Sequence, residues 1–237
     1  MNKRIYKADL HCHTSEGSGC SRESGAQTVE KYIEFGFTSL VVTNHVQFWE
    51  CDPELKSGYG SYDWLIDRAY DASEIAREAA GDRLHVLSGM EVCDRDTKND
   101  YLIYGLTREM AKGINMCYSH IEEISDHVRS CGGVIIQAHP MRMGMRLMSP
   151  QIYDGVEIFN NSADWLYVNP MAQMWAQINC LDKTKILTAG NDHHNPKDMP
   201  TAGILTSEPI VTDEDLVRIL VSKDFSIFHE TKMNGGD

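Results

Sequence analysis

Short apolar runs alternate with amphipathic stretches along the chain, and this alternation predicts an α/β protein. The runs at 39–42, 134–138 and 185–189 are rich in Val, Ile, Leu and Ala, as expected for strands that are buried on both faces. The segment 61–80 instead repeats its apolar residues at a spacing near 3.6, which is typical of a helix. Strands that alternate with helices are parallel and joined by right-handed crossovers. About seven or eight short strands in this length favour a (β/α) barrel over an open sheet.

Capping residues mark the expected starts of several helices. Three pairs have the spacing of a capping box: Ser24 with Gln27, Ser119 with Glu122, and Thr212 with Asp215. A further helix is predicted over 170–180, and further strands over 84–91, 101–105 and 155–160. The strand at 101–105 follows its predecessor through a polar turn instead of a helix. The segment 225–228 is expected to close the sheet.

The composition predicts one globular domain spanning residues 1–237. The chain is 42% hydrophobic and 24% charged, and no Pro/Gly/Ser-rich linker or repeat divides it. Its seven cysteines are scattered, odd in number and without a CxxC pair, which favours a reduced, cytoplasmic protein over a disulfide framework. No apolar run approaches the roughly 18 residues of a membrane span, and no signal peptide is recognisable, so no membrane association is expected.

The formal net charge of −13 bears on the expected partners. Such a chain repels polyanions, so no binding of a nucleic acid duplex is expected. A small phosphorylated substrate is still compatible with this charge, because bound divalent cations reverse the local sign of the potential.

The stretch 9–14, DLHCHT, follows a segment with the loose alternation of a strand. Side chains at positions i and i+2 leave the same face of a strand, so His11 and His13 project together and Cys12 points the other way. Two neighbouring neutral imidazoles suit one divalent metal ion such as zinc, iron or manganese. The pair therefore indicates a metal site.

Other ionisable residues stand at the ends of later predicted strands: His45, Glu91, His139, Asp192 and His194. The carboxyl ends of barrel strands share one face, where active sites collect. Taken singly, each of these residues is as well explained as a hydrogen-bonded histidine, an ion-paired carboxylate or a helix N-cap. Placing several of them at buried strand ends carries a desolvation penalty, which metal coordination offsets. The set therefore favours a metal centre.

Five motifs, in this order, resemble those of the PHP (polymerase and histidinol phosphatase) superfamily. They are DLHCHT at 9–14, TNH at 43–45, GMEV at 89–92, AHP at 138–140 and GNDHH at 190–194. The resemblance implies a distorted (β/α)7 TIM-like barrel, the PHP fold, with two or three divalent metal ions at its C-terminal face. The ions are expected to be zinc, manganese or iron. Because many members are phosphoesterases, the resemblance also implies a metal-dependent phosphoric ester hydrolase.

The resemblance further assigns the ligands of the ions. These are His11, His13 and Asp192 for one ion, Glu91 as a bridge to a second ion with His139, and His45 and His194 for a third. In the last motif the family uses the residue two positions beyond the aspartate. His193 is therefore expected at the rim of the site, near the substrate.

The chain departs from the family pattern at two places. The family has an aspartate five residues after the second histidine of the first motif, and Ser18 stands there. Glu16 is the nearest carboxylate and is expected either to replace that ligand or to be exposed. A further family histidine, expected between the bridging glutamate and the AHP motif, has no certain match. Asp100 and His120 are the candidates, and the choice between them stays open.

The implied reaction is hydrolysis of a small phosphomonoester, histidinol-phosphate-like or nucleotide-like, by a metal-bound hydroxide bridged by Glu91. A serine or cysteine nucleophile is not required. Arg142 stands where the family often has a phosphate-binding arginine, and its guanidinium suits phosphate oxygens. Arg146 is expected to face solvent. The loops at 46–60 and 141–150 are expected to set the specificity.

Two alternative functions remain open at this point. A metal hydroxide also attacks amides, so an amidohydrolase-type hydrolase is one alternative. The other is a non-catalytic metal-binding PHP module, like those attached to some polymerases. The near-complete ligand set argues against loss of activity, whereas Ser18 argues for it.

Overall fold

The computed structural model describes residues 4–51, 60–162 and 168–230. Its strands and helices are, in chain order, β1 (Tyr6–Cys12), α1 (Gly25–Glu34), β2 (Ser39–Val42), β3 (His45–Gln47), α2 (Phe48–Cys51), α3 (Tyr62–Ala80), β4 (His85–Cys93), β5 (Asp100–Tyr104), α4 (Arg108–Lys112), α5 (Ile121–Ser130), β6 (Val134–Gln137), β7 (Gly155–Asn160), α6 (Asn169–Ile178), α7 (Leu181–Thr184), β8 (Ile186–Gly190), β9 (Ala202–Thr206), α8 (Asp213–Ser222) and β10 (Phe225–His229). No helix in these ranges is both long enough and apolar enough to cross a membrane.

The described strands form one sheet of ten strands in the order β10-β9-β1-β2-β4-β5-β6-β7-β8, with β3 paired to β4. The pairs β1–β2, β2–β4, β6–β7 and β7–β8 are parallel, as the alternation of strands and helices predicts. Strands β2, β5 and β6 are buried along their whole length. This burial explains their nearly continuous apolar sequences.

Strand β8 returns to β1 and nearly closes the sheet into a barrel. The amide of Asp192 donates to the carbonyl of His11 over 2.8 Å, and the amide of His13 donates to the carbonyl of His193 over 3.1 Å. Cys12 forms a parallel bridge with His193. The distorted TIM-like barrel is thus confirmed, and it closes at the carboxyl ends of β1 and β8.

One expectation about the sheet is wrong, and β5 departs from the parallel arrangement of its neighbours. Strand β5 is antiparallel to both of its neighbours, because the link between β4 and β5, residues 94–99, is too short for a crossover helix. Strand β10 does not close the sheet. It pairs with β9, a strand that the sequence analysis missed, and β9 adds antiparallel to β1.

Most helix starts agree with the predicted caps. Ser24 and Thr212 are the N-caps of α1 and α8, each with its capping box. The cap of α5 lies one residue later than predicted: His120 is the N-cap, and its amide donates to the carboxylate of Glu123 over 3.0 Å. The helix predicted over 170–180 is α6, which ends at Ile178 and is followed by the short α7.

A hydrogen bond across the barrel fixes the end of β1. The hydroxyl of Tyr104 on β5 donates to the carbonyl of Leu10 over 2.8 Å, although β1 and β5 are not neighbours in the sheet. Both side chains are buried in one apolar cluster with Ile136. Fully burying a side chain such as Leu10 contributes about 1.5–3 kcal/mol. The backbone of His11, the next residue, is thereby held in place.

Candidate metal centre

The carboxyl-end face of the barrel brings together the seven ligands implied by the resemblance and Asp100, eight residues in all. In the described part of the chain, four groups of three residues have potential ligand atoms within 4.8 Å of one another: His13, His45 and His194; His11, His139 and Asp192; His11, His13 and Glu91; and Glu91, Asp100 and His139. The groups overlap, so they form one continuous cluster.

Glu91 lies at the centre of this cluster. Its Oε1 is 3.1 Å from His139 Nε2 and 3.4 Å from His11 Nε2. Its Oε2 is 3.4 Å from His13 Nε2 and 2.9 Å from His45 Nδ1. The carboxylate is therefore surrounded by four imidazoles, the position that a bridging ligand occupies.

Strand pairing brings Glu91 and His45 together. The sequence analysis placed each at a strand end, whereas β4 continues through Glu91 to Cys93, and His45 begins β3. The two strands are parallel, with His45 opposite Glu91 in register. Neighbouring strands lie about 4.8 Å apart, so the two side chains meet on one face.

Asp192 completes the other side of the cluster. Its Oδ1 is 3.4 Å from His11 Nε2, 3.3 Å from His13 Nε2 and 3.3 Å from His194 Nδ1. The backbone φ of Asp192 is 50°, and that of His139 is 25°. Such left-handed values are strained for residues other than glycine, and strained residues cluster at functional sites.

Among the imidazole nitrogens of the cluster for which no hydrogen bond is found within the described residues, two lie on side chains that are 0% exposed. They are Nε2 of His11 and Nε2 of His13. An unpaired buried polar atom destabilises a fold by about 1–3 kcal/mol. Both nitrogens face carboxylate oxygens at 3.3–3.4 Å. The donor set therefore fits divalent cations placed between imidazoles and carboxylates.

The charges of the cluster depend on one another. Burial opposes ionisation of Glu91, but the imidazoles of His11 and His45 lower its pKa well below the usual value. Burial likewise opposes charging of His11, yet the carboxylates of Asp192, Glu157 and Glu91 raise its pKa well above the usual value. In the metal-free chain protons thus balance the carboxylates, and metal binding would displace those protons.

Glu157 is a site residue that the sequence analysis missed. Its Oε1 lies 3.0 Å from Nδ1 of His11, and its Oε2 accepts from the amide of His139 and from Nδ2 of Asn160, both over 3.0 Å. Because this carboxylate accepts from Nδ1–H, Nε2, which faces the cluster, is the nitrogen of His11 that loses its proton when a metal ion binds. The only signal in the sequence is a buried carboxylate inside the apolar strand β7.

Ser18 fixes the tautomer of His13 in the same way. The side-chain atom of Asn44 that accepts from the amide of Thr14 is its oxygen, Oδ1. An amide oxygen only accepts, so the hydroxyl of Ser18, 2.9 Å away, donates to it. The Ser18 oxygen accepts from the amide of His45 over 3.0 Å and lies 3.2 Å from Nδ1 of His13. With its proton committed, Ser18 accepts from Nδ1–H, so Nε2 is the free nitrogen of His13.

Glu16 does not join the cluster. Both of its carboxylate oxygens accept from the amide of Gly25, over 3.1 and 3.0 Å, at the start of α1. The carboxylate binds there because the first amides of a helix lack intrahelical partners and carry partial positive charge. The structure therefore does not support the expectation that Glu16 replaces a missing ligand.

His193 and His120 also lie away from the cluster. His193 is fully buried instead of lying at the rim, and its Nε2 is 2.5 Å from Oε2 of Glu23. His120 is exposed, with Nδ1 2.7 Å from Asp96 Oδ2. The expectation for His193 is thus wrong, and His120 is not the further ligand.

Asp100, the other candidate that the sequence left open, lies in the cluster with Glu91 and His139. Its carboxylate is buried, 3.9 Å from His139 Nε2, and accepts from Arg142 Nη1 over 3.0 Å. Burial raises the pKa of Asp100, and the neighbouring carboxylate of Glu91 adds to that increase. A cation between the two carboxylates would relieve this repulsion.

The cluster opens into a cavity of about 740 Å³. Its lining includes Cys20, Trp49, Lys98 and Arg142 together with the ligand candidates Glu91, Asp100, His45, His139, Asp192 and His194. This volume is within the range of small-molecule sites. The loops expected to set specificity contribute Trp49 and Arg142, whereas residues 52–59 lie outside the described part of the chain.

Neither a family model nor a curated protein sequence matches the chain. Solved structures do match. A two-domain protein of Bacteroides vulgatus, containing a predicted PHP-like metal-dependent phosphoesterase, is 15% identical with a TM-score of 0.64, over 95% of this chain and 65% of that chain. An amidohydrolase of Chromobacterium violaceum is 13% identical with a TM-score of 0.53, and the match covers 95% of this chain and 99% of the amidohydrolase. Endonuclease Q, solved in complex with a 27-mer duplex substrate with an abasic lesion at the active site, is 14% identical with a TM-score of 0.60. That match covers 92% of this chain and 57% of the endonuclease.

The endonuclease complex overturns one expectation. The net charge of −13 was taken to exclude nucleic acid duplexes as partners, but a protein with this fold holds a DNA duplex at its active site. Net charge averages over the whole surface, whereas binding depends on the potential at the site, which bound cations reverse. The motifs, the nearly closed barrel and these likenesses agree: the chain has the fold of the PHP superfamily.

Proposed function

We propose that the chain is a metal-dependent phosphoesterase that hydrolyses a small phosphomonoester, histidinol-phosphate-like or nucleotide-like. The observation that carries this proposal is the position of Glu91, a buried carboxylate with four imidazoles around it at 2.9–3.4 Å. Few arrangements other than a multinuclear metal centre make such a cluster stable in a protein interior.

The ligand assignment combines the set implied by the resemblance with the overlapping groups and with the contacts of Asp192 to His11 and His13. The proposed ligands are His11, His13 and Asp192 for one ion; Glu91 as the bridge, with His139 and Asp100, for a second; and His45 and His194 for a third. Asp100 takes the place of the histidine that the resemblance implied. Zinc, manganese and iron all suit mixed imidazole and carboxylate donors.

When bound, divalent ions supply a water that is acidic near neutral pH and positive charge for the phosphoryl oxygens. The protein orients the ligands. Glu157 holds the Nδ1–H of His11 and Ser18 holds that of His13, so each imidazole presents Nε2. Partners of this kind raise the basicity of ligating histidines and fix their rotation.

Arg142 is the proposed phosphate-binding residue. It lines the cavity, is 36% exposed, and its Nη1 donates to the buried Asp100. This contact anchors one edge of the guanidinium beside the proposed second ion. A guanidinium held there adds directed hydrogen bonds to phosphate oxygens.

Two observations favour other substrates for the same centre. The amidohydrolase of Chromobacterium violaceum shares the fold, and a metal-activated water also attacks amides. The Endonuclease Q complex favours a phosphodiester in a nucleic acid. The cavity of about 740 Å³ supports a small phosphomonoester, because its volume is within the range of small-molecule sites.

The test is a substrate panel. Chelator-treated protein is reloaded separately with zinc, manganese or iron, then assayed with a phosphomonoester, a phosphodiester, an amide and a DNA duplex carrying an abasic site. We expect phosphomonoester turnover by the wild type and its loss in His11→Ala. If no ion supports phosphoester turnover, or if His11→Ala and wild type act alike, the proposal is wrong.

A further inference from the structure

Residues 140–146 form a largely exposed arch that carries Arg142, one of the residues that line the cavity. The side chain of Met143 is 91% exposed, and that of Leu147, just after the arch, is 51% exposed. The arch therefore buries little apolar surface of its own. Because few buried contacts fix such a segment, its position depends mainly on its hydrogen bonds.

The start of the arch is fixed by local hydrogen bonds. The amide of Arg142 donates to the carbonyl of His139 over 2.9 Å, and the amide of Met145 donates to the carbonyl of Arg142 over 3.0 Å. These bonds place Arg142 relative to the backbone of a proposed metal ligand. They do not hold the far end of the arch, which needs contacts from another part of the chain.

The far end of the arch is clamped by a buried side-chain amide. The backbone amide of Arg146 donates to Oδ1 of Asn99 over 2.7 Å, and Nδ2 of Asn99 donates to the carbonyl of Arg146 over 2.8 Å. Nε2 of Gln137 donates to the same carbonyl over 2.9 Å. Asn99 and Gln137 are both fully buried. Asn99 thus binds both backbone groups of Arg146, as a partner strand does in a sheet.

Asn99 is itself held in place, and it is next in sequence to the residue that binds Arg142. Its carbonyl accepts from the amide of Asp94 over 2.8 Å. Asp100, the following residue, begins β5 and accepts from Nη1 of Arg142 over 3.0 Å. Two successive residues therefore hold the arch, since Asn99 binds its backbone and Asp100 binds its guanidinium.

We propose that Asn99 is a positioning residue for the substrate phosphate, because its clamp on Arg146 holds the arch in the place from which Arg142 binds phosphate. This inference rests on the proposed role of Arg142 and extends it. Asn99 is fully buried and acts through the arch. Ordering a long side chain before the ligand arrives removes a cost of binding, so release of the clamp should weaken phosphate binding about 2–10-fold.

Binding of inorganic phosphate to zinc-loaded protein, measured by isothermal titration, tests this inference without any turnover. The proteins are wild type, Asn99→Ala, Arg142→Ala, the double variant of these two, and the matched control Arg146→Ala. The control keeps both backbone groups that Asn99 contacts, so it should bind phosphate as wild type does. Zinc content, measured for each protein, should be unchanged in Asn99→Ala.

The double variant separates positioning from a general structural effect. We expect the Kd for phosphate to rise about 2–10-fold in Asn99→Ala and further in Arg142→Ala. Asn99→Ala should add nothing once Arg142 has been removed, because the clamp then has no guanidinium to position. Hydrogen exchange at the amide of Arg146 should be faster in Asn99→Ala. If that variant does not fold, Gln137→Met, which removes a donor to the same carbonyl, replaces it with the same expectations.

Each other outcome overturns a stated part of this account. An unchanged Kd in Asn99→Ala, or an equal loss of affinity with and without Arg142, would exclude the role of Asn99 and leave the proposed function intact. If zinc-loaded wild type binds no phosphate, or if Arg142→Ala binds it as tightly as wild type, the phosphate site at Arg142 is wrong and this inference fails with it.

Discussion

Nδ1 of His11 lies 3.0 Å from Oε1 of Glu157, and both side chains are buried. The other oxygen of Glu157 accepts from two further N–H groups, those of His139 and Asn160. Glu157 thus joins the backbone at one candidate ligand to the side chain of another. Both carboxylate oxygens of Glu157 therefore make hydrogen bonds with groups that position the candidate ligands.

Glu157→Gln tests whether this carboxylate orients His11. Glutamine has one acceptor oxygen, and its NH₂ group would face N–H donors, so His11 would lose its fixed tautomer. We expect metal affinity to fall about 10–100-fold, the usual effect of removing such a partner. Isothermal titration with zinc measures it. An affinity equal to that of wild type would show that Glu157 has no positioning role.

Gly190→Ala tests the space around the same pair. A Cβ at this position would lie 2.5 Å from His11 Cβ and 2.7 Å from Glu157 Oε1. We expect a loss of about 1–3 kcal/mol in unfolding free energy, with weaker metal binding. The control is Gly19→Ala, where a Cβ meets nothing within 4 Å. Equal urea midpoints for the two variants would contradict the prediction.

Asp9→Asn tests a buried carboxylate beside the cluster. Burial raises the pKa of Asp9 from 3.8 to about 6, so its proton is bound more tightly in the folded than in the unfolded chain. Ionised Asp9 therefore destabilises the fold above that pKa, and the penalty disappears as the pH falls towards 3.8. An asparagine keeps an acceptor for the amides of His11 and Asn191 and gives Tyr32 a donor.

We therefore expect metal-free Asp9→Asn to be more stable than wild type near pH 8, by at most about 3 kcal/mol. Near pH 4 the advantage should be small, because Asp9 is then largely protonated in the folded wild type. Urea denaturation of both proteins at each pH measures the difference. A gain of equal size at both pH values, or a loss near pH 8, would exclude this account of Asp9.

Arg142→Ala tests phosphate binding. Removing a charged hydrogen-bond donor from a phosphate costs about 1.5–3 kcal/mol, so KM for a phosphomonoester should rise about 10–100-fold. The control is Arg146→Ala, because the contacts of Arg146 with Asn99 and Gln137 use its backbone. An unchanged KM in Arg142→Ala would remove this arginine from the substrate site.

Local patterns predicted the parts of the fold that depend on near neighbours in sequence. The capping boxes at Ser24 and Thr212 are in place, since both partners are three residues apart. The direction of β5 was not predicted, and β9 was missed. Both depend on how far the chain must travel between strands and on which edge is free, information that apolar patterning does not carry.

The residues of the candidate site were likewise predicted where the signal is local and missed where it depends on distant parts of the chain. Strand-end position was enough to bring His11, His139 and Asp192 into one group. The role of Glu157 was not predictable, because its partner His11 is 146 positions away. The choice of His194 over His193 came from the resemblance, and the structure places His194 in the cluster and His193 against Glu23.

The most direct test of the account is the number of ions bound per chain, measured by elemental analysis after equilibrium dialysis of wild type and Glu91→Gln. Because Glu91 contacts four imidazoles, we expect two or three zinc ions in wild type. Glu91→Gln should bind at least one fewer, since an amide bridges two cations poorly. Fewer than two ions in wild type, or equal binding by both proteins, would contradict a shared metal centre around Glu91.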